Sequence, residues 1–478
     1  MHTVEKIGGT SMNDYPSVRD NIVCHSSLNQ NFYQRIFVVS AYGGITDKLL
    51  EHKKSAQPGI YGLFASSTED KSWVMSFAAL RQDLFRINSN LFVGAEELEK
   101  ANCFIDERLN NAEARLHDIY NLCTHGHFSL EAHLATVREM LASLGEAHSA
   151  WNTAQLLQRD GVNAVFVDLT GWMGSKHVSL DERIRMAFEG LDISRCLPIV
   201  TGYAHSKDGL MKSFDRGYSE MTFSRIAVIT QAKEAIIHKE FHLSSADPRI
   251  VGEKKAVPIG RTNYDVADQL ANLGMEAIHP KAAKGLRQNN IPLRVKNTFE
   301  PEHGGTLITR DYVSRKPCVE IIAGCKGVYG LAIFDQDMAG QFSRYDVKFL
   351  EAIKRFNAQV ISKDVNANTI THYFASNLKT VKRVQAALEE AFPEADVSSQ
   401  KVALVSAIGS DMKEAGMLAK AVSAVADQGI SVLAIHQSMR QVDMQFVVLE
   451  QDYEAAIRAL HAGLVEIHDH GRAITLAL

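Results

Sequence analysis

The sequence predicts an α/β protein: a mostly parallel sheet in an αβα sandwich, followed by two small α+β modules of βαββα order. Three observations predict it. Short apolar runs rich in β-branched residues, Ile36 to Ala41, Val162 to Leu169, Leu197 to Thr201, Ala235 to His238 and Ile291 to Val295, alternate with helical patterns or loops, as buried strands of a parallel sheet do. After Thr309 an order of helix, strand, strand and helix occurs twice, the copies roughly 70 residues apart. The chain has 478 residues, more than the ~250 to 300 over which one core keeps growing.

Residues 1 to 310 read as one α/β domain, and residues 50 to 144 within it as a mainly helical insertion with helical patterns over Ala112 to Leu122 and Leu130 to Leu141. The first module, residues 318 to 395, reads as strands Val319 to Ile322 and Val328 to Phe334, a helix near Ala339 to Phe356, strands Gln359 to Lys363 and Thr369 to Ala375, and a helix Leu378 to Phe392. The second, residues 400 to 478, reads as strand Val402 to Ile408, a helix from Asp411 to Gln428, strands Ile430 to His436 and Met444 to Glu450, and a helix Tyr453 to His461. Gly429 and Gly463 are read as the stops of its two helices, because glycine best tolerates the left-handed exit.

An apolar fraction of 46% and a charged fraction of 22% are those of a folded globular chain. With 51 basic against 56 acidic residues the net charge is -5, and no dense Lys/Arg run supplies the field on which nucleic-acid or anionic-membrane binding relies. Neither partner is expected. No stretch approaches the ~20 apolar residues that span a bilayer, and MHTVEKIGGTSM is too polar for a signal peptide, so a cytoplasmic location is expected. The six cysteines form no CxxC pair, which points to reduced thiols rather than a disulfide framework or a zinc site; no metal-ligating set is expected.

Chemistry concentrates at two strand-to-turn junctions. In VEKIGGTSM a strand delivers Lys6 to a turn made by Gly8 and Gly9, where backbone N–H groups and a compact positive charge suit phosphate oxygens. In FVVSAYGGITDKLL a strand runs through Ser40 into Gly43, Gly44 and Thr46 and then a helix, whose N-terminus favours an anion. Two such turns in one sheet converge at its carboxyl edge. Neither GxGxxG nor a Walker A pattern is present.

VEKIGGTSM, VVSAYGGITD, LGEAHSAWNTAQLL, DRGYSEMTFSRIAV, SSADPRIV and EAIHPKAAKGLRQNNIPLRVKNTFEPEHGGTLI occur in the order seen in aspartokinases of the amino-acid kinase superfamily, which the chain resembles over nearly its whole length. The tandem tail resembles ACT modules. The resemblance implies transfer of the ATP γ-phosphoryl group to the β-carboxylate of L-aspartate, with Mg²⁺ carried in by ATP. That chemistry suits the residues: a carboxylate of pKa near ~4 is already ionised and needs no side-chain base, so catalysis rests on positioning and charge. By motif position the resemblance assigns Lys6, Gly8, Gly9 and Ser40 to the phosphates and Arg216 to the α-carboxylate, which a guanidinium grips bidentately. Thr46, Glu146 and Ser219 join Arg216 around aspartate, with Glu146 toward the ammonium. Glu146 also reads as the opening of a helix, where an acid is favourable in any case.

The chain departs from the usual pattern on the nucleotide side. His238 and Lys239 replace a Thr-Asp pair, Ser244 a Tyr and Glu276 a Lys, while Tyr218 and Glu220 replace the Gly and Asp that flank Ser219. His238, Lys239, Ser244 and Arg249, in the retained Ala-Asp-Pro-Arg run, remain the nucleotide candidates; for His238 and Lys239 the alternative is a solvent-facing pair at the sheet edge. These departures resemble the aspartokinase subgroup associated with ectoine biosynthesis. In the first ACT-like module Asp335 or Asp337 is read as the cap of a helix starting near Ala339, whose free N–H groups either receive an effector's carboxylate or belong to a plain cap in modules that serve only dimerisation; a homodimer or higher homo-oligomer through the modules is expected. The rival readings are a kinase for glutamate or N-acetylglutamate and a catalytically silent amino-acid sensor.

Overall fold

The computed structural model describes residues 1–25, 32–52, 55, 57–66, 72–124, 127–172, 177–214, 217–275 and 277–465. In chain order come β1 (Thr3–Ile7), α1 (Gly9–Met12), β2 (Arg35–Val39), α2 (Ile45–Leu49), α3 (Ser72–Leu91), α4 (Ala95–Cys123), α5 (Glu131–Arg159), β3 (Ala164–Val167), β4 (Leu197–Thr201), α6 (Tyr218–Ile229) and β5 (Glu234–Lys239). There follow β6 (Arg261–Asn263), α7 (Tyr264–Asn272), α8 (Pro280–Gln288), β7 (Leu293–Asn297) and β8 (Thr306–Thr309). The tail holds β9 (Ile321–Phe334), α9 (Phe342–Arg355), β10 (Val360–Val365), β11 (Thr369–Phe374), α10 (Leu378–Ala391), β12 (Asp396–Ile408), α11 (Met417–Ala426), β13 (Val432–Gln437), β14 (Asp443–Leu449) and α12 (Tyr453–Leu460).

Contacts divide the chain into two units, residues 1–242 with 278–305, and residues 243–277 with 306–478. The first unit carries parallel strands in the order β3, β4, β2, β1, β5, β7. β2 and β4 are buried along their whole length, which is why their sequences are continuous apolar runs rather than alternating ones. The helical stretch before β3 is built around Trp73, fully buried with its ring edge-on to Phe64 and Phe77. Its helices are longer than their apolar patterns suggest: α4 and α5 each run 29 residues. Glu146 therefore lies in the middle of α5, not at a helix start, and helix-end electrostatics do not account for it.

In the second unit β6 and β8 pair in parallel, and an antiparallel sheet runs in the order β10, β11, β9, β12, β14, β13. The βαββα order appears twice, as expected, as β9-α9-β10-β11-α10 and β12-α11-β13-β14-α12. Asn377 caps α10 by accepting from the Thr380 N–H at 2.9 Å. Two expectations change. The strands read at 319–322 and 328–334 are one strand, β9, which pairs with β12 from Ile321 to Phe334 through a register shift between Val402 and Leu404. Gly463 does not stop the last helix, whose path continues through Val465; a Cβ at Gly463 would meet the Ala424 Cβ at 2.8 Å, so the glycine serves close packing on α11. Val266 and Leu270 of α7 pack with β9 and β12 residues Ile321 and Leu404 in one core, so one face of this sheet is covered from within its own unit.

Candidate active site

Successive side chains of β1 point to opposite faces, so Glu5 and Lys6 are separated by the sheet. On the Glu5 side, Arg35 donates Nε and Nη2 to the carboxylate at 2.7 and 3.0 Å, and His238 Nε2 lies 2.8 Å from Glu5 Oε2. Burial alone would raise the Glu5 carboxyl, but Arg35 and His238 outweigh it and hold it far below the usual range. His238 is thus a buried core residue engaged with Glu5. It is not a solvent-facing edge residue, and its imidazole is not turned to the Lys6 side. Its carbonyl accepts from the Gly8 N–H at 3.1 Å, so that donor is taken within the protein.

On the other face the Lys6 ammonium lies 3.6 Å from Glu220 Oε1, both side chains about nine-tenths buried. Glu220 Oε2 accepts from the His279 N–H at 2.6 Å. Burial would raise this carboxyl; Lys6, Lys239 and the His279 N–H together bring it below its ordinary value, so it is ionised. Lys239 therefore acts on the same carboxylate as Lys6, as its position two residues along the sheet face from Ile237 requires.

Beside Lys6 the β1 and β2 turns meet. The Ser40 N–H donates to the Ile7 carbonyl at 3.2 Å, and the Ser40 carbonyl accepts from Ser149 Oγ at 2.8 Å. A Cβ at Gly9 would sit 2.8 Å from the Ala41 carbonyl oxygen, so only glycine lets the two turns approach this closely. They border a cleft of about 350 Å³ lined by Gly9, Ser40, Thr46, Glu146, Tyr218 and Ser219 among others. Gly217, at φ 80°, takes the left-handed conformation that starts α6 and brings Tyr218 and Ser219 to this cleft. A Cβ placed on Gly202 would lie 2.9 Å from Ser219 Cβ and 3.2 Å from Glu146 Cγ, which shows how near those two residues stand.

Glu146 is 2% exposed. Its Oε1 accepts from the Tyr218 hydroxyl at 2.9 Å, while Oε2 is buried with no hydrogen-bond partner among the described residues. Burial pushes its carboxyl up to about 7, moderated by the Tyr218 hydroxyl, backbone N–H groups and Lys6. A buried carboxylate oxygen left without a donor is a place for a cation. Sequence reasoning noted Tyr218 and Glu220 only as departures from a pattern. Alternation along β1 gives no sign of Glu220, because the Lys6 partner comes from a helix more than two hundred residues later.

Of the remaining candidates, Arg216 lies outside the described residues, as does Glu276. Ser244 and Arg249 belong to the second unit. Ser244 forms a bridge with Pro258, and the exposed Arg249 guanidinium is engaged with Asp247 through Nε at 3.0 Å and Nη2 at 2.7 Å. Asp335 caps the turn before α9, accepting from the Asp337 N–H at 2.9 Å and the Tyr345 hydroxyl at 2.6 Å.

Residues 1–297 match the amino acid kinase family, and residues 405–464 match the ACT domain. The chain belongs to the amino acid kinase family. It is 54% identical over 477 residues, all of both chains, to aspartate kinase Ask_Ect of Stutzerimonas stutzeri (strain A1501). Aspartokinase 1, chloroplastic, of Arabidopsis thaliana is 29% identical across 57% of this chain and 49% of its own. Among solved structures, E. coli aspartokinase III in complex with aspartate and ADP shares the fold at a TM-score of 0.71 and 20% identity, covering 97% of this chain and 99% of that one. Within the family the chain groups with the aspartokinases. No helix among the described residues is long and apolar enough to cross a membrane.

Proposed function

We propose that this chain is an aspartokinase that transfers the ATP γ-phosphoryl group to the β-carboxylate of L-aspartate, giving 4-phospho-L-aspartate and ADP. The observation that carries it is one cleft at the carboxyl ends of β1 and β2 that gathers Gly9, Ser40, Thr46, Ser219 and the half-partnered carboxylate of Glu146, a carboxylate on which the charge of the buried Lys6 acts. A β-carboxylate oxygen attacks the γ-phosphorus, that P–O bond forms, and the bond to the β,γ-bridging oxygen breaks with its electron pair leaving on ADP. The nucleophile is ionised beforehand, so no proton moves. Lys6 stabilises charge on the transferring group, where a positioned cation in a desolvated site counts for most. Glu146 receives the substrate ammonium, Thr46 and Ser219 offer hydroxyls, and Arg216 grips the α-carboxylate. Ser40, Gly9 and Gly8 form the turns beside the phosphates, with Lys239 behind Lys6. Mg²⁺ arrives as the ATP complex with the phosphates as ligands; it needs no protein cage.

Residues 1 to 310 are assigned to catalysis, and the modules 318–395 and 400–478 to a homodimer in the cytoplasm. Exposed apolar residues on the outer strands, Val365 on β10 and Leu433 on β13, support association through the tail. The name of the Stutzerimonas relative and the pattern of departures support a place ahead of ectoine synthesis. Trapping of the acyl phosphate with hydroxylamine tests the reaction. Aspartate-dependent hydroxamate is expected; a glutamate-dependent product, or none from folded protein, overturns the assignment.

A further inference from the structure

Tyr218 stands where it was not expected to have a role. It is 5% exposed, at the first position of α6, and its ring meets Tyr203 edge-on at 5.9 Å. Its hydroxyl donates to Glu146 Oε1 at 2.9 Å and is also in hydrogen-bond contact with the Thr46 side chain. The phenol thus ties together two side chains from separate elements, α2 and α5, that line one wall of the cleft. A carboxylate has two equivalent oxygens, and the side-chain donor from Tyr218 is fixed on one of them. Here Oε1 is taken, leaving Oε2 buried and unpartnered.

The geometry points to Tyr218 as a positioning residue that locks the Glu146 carboxylate and presents Oε2 to the ammonium of the amino-acid substrate. The inference rests on the aspartokinase reading above and adds to it the residue that sets the grip on the amino group. The charged and titratable groups facing Glu146 are Lys6 from β1, Tyr218 from α6 and Tyr203 after β4, whose own hydroxyl is engaged with Glu139. Burial and the adjoining carboxylate hold the Tyr218 phenol far above its ordinary range, so it stays a donor at every working pH. Its hydrogen bond favours the ionised form of Glu146, and an ionised Glu146 is what binds an ammonium.

The test is Tyr218→Phe, which keeps the ring and removes the donor. Expected are a rise of about tenfold in the aspartate KM, an unchanged ATP KM, and an acid limb of the kcat/KM profile for aspartate displaced to higher pH. In a Glu146→Gln background, the same substitution should leave that limb where Glu146→Gln alone puts it. A role in packing alone would move neither the limb nor the balance between the two KM values. If the wild-type enzyme forms aspartyl hydroxamate and Tyr218→Phe matches it in aspartate KM and pH profile, the positioning role falls while the reaction stands. Absence of product from the wild type removes both.

Discussion

Lys6 Nζ and Glu220 Oε1 face each other at 3.6 Å, beyond hydrogen-bond length, in a setting where each side chain is only 10% exposed. The ammonium is desolvated and neutralised but not locked. On the proposed reading, a phosphate arriving at Lys6 would offer it shorter, charge-assisted contacts.

Lys6→Ala is expected to cut turnover by at least ~100-fold, the usual scale for losing a charge-stabilising group at a transferring centre. Lys239 and the His279 N–H still attend Glu220, so the variant should fold. Hydroxamate formation beside a thermal melt checks both halves; near-normal turnover would take Lys6 out of the mechanism.

Arg216→Lys should mainly weaken the use of aspartate, because an ammonium cannot reproduce a planar, two-pronged grip on a carboxylate. Saturation curves for aspartate and ATP measured separately show it. An unchanged aspartate curve contradicts the assignment.

Gly9→Ala places a methyl group 2.8 Å from the Ala41 carbonyl oxygen, and the obstructing atom is backbone. Expected are a loss of about 1–3 kcal/mol in denaturant unfolding and a larger proportional loss of ATP-dependent turnover, since the β1 and β2 turns must part. Equal stability and activity would mean that the turns do not form the cleft as described.

His372 on β11 is buried between Phe349 and Phe374, with ring centroids 4.2 and 6.2 Å away, and burial pushes its pKa from 6.5 down to about 4. The unfolded chain takes up the proton first as pH falls. Stability from this residue is therefore full above pH ~6.5 and is lost between there and pH ~4, by about 3 kcal/mol. His372→Phe should flatten that part of the pH dependence in chemical denaturation; a variant with the same slope as wild type refutes the attribution.

The parallel strands, the Lys6 and Ser40 turns and the doubled tail were legible in the sequence because each rests on local signals: apolar runs, glycine pairs and a repeated order of elements. Glu146 was found by motif position, yet its place in the middle of a 29-residue helix was not, since α5 continues through residues whose apolar pattern is weak. His238 was misplaced for a different reason. Its burial depends on Glu5 and Arg35, and no spacing rule reveals that one face of a strand carries a buried charge cluster. Tyr218 and Glu220 stood out in the sequence only as departures from a pattern, because their meaning lies in partners far along the chain, supplied only by folding.

The pairing of β9 with β12 along almost their entire length means that the tail's two halves share a seam rather than abut as beads. Cutting the chain after residue 395 would not release a tidy first module. It would bare a ladder of unpaired amides and carbonyls fourteen residues long, and such a protein should clump or recruit a foreign strand instead of staying monodisperse.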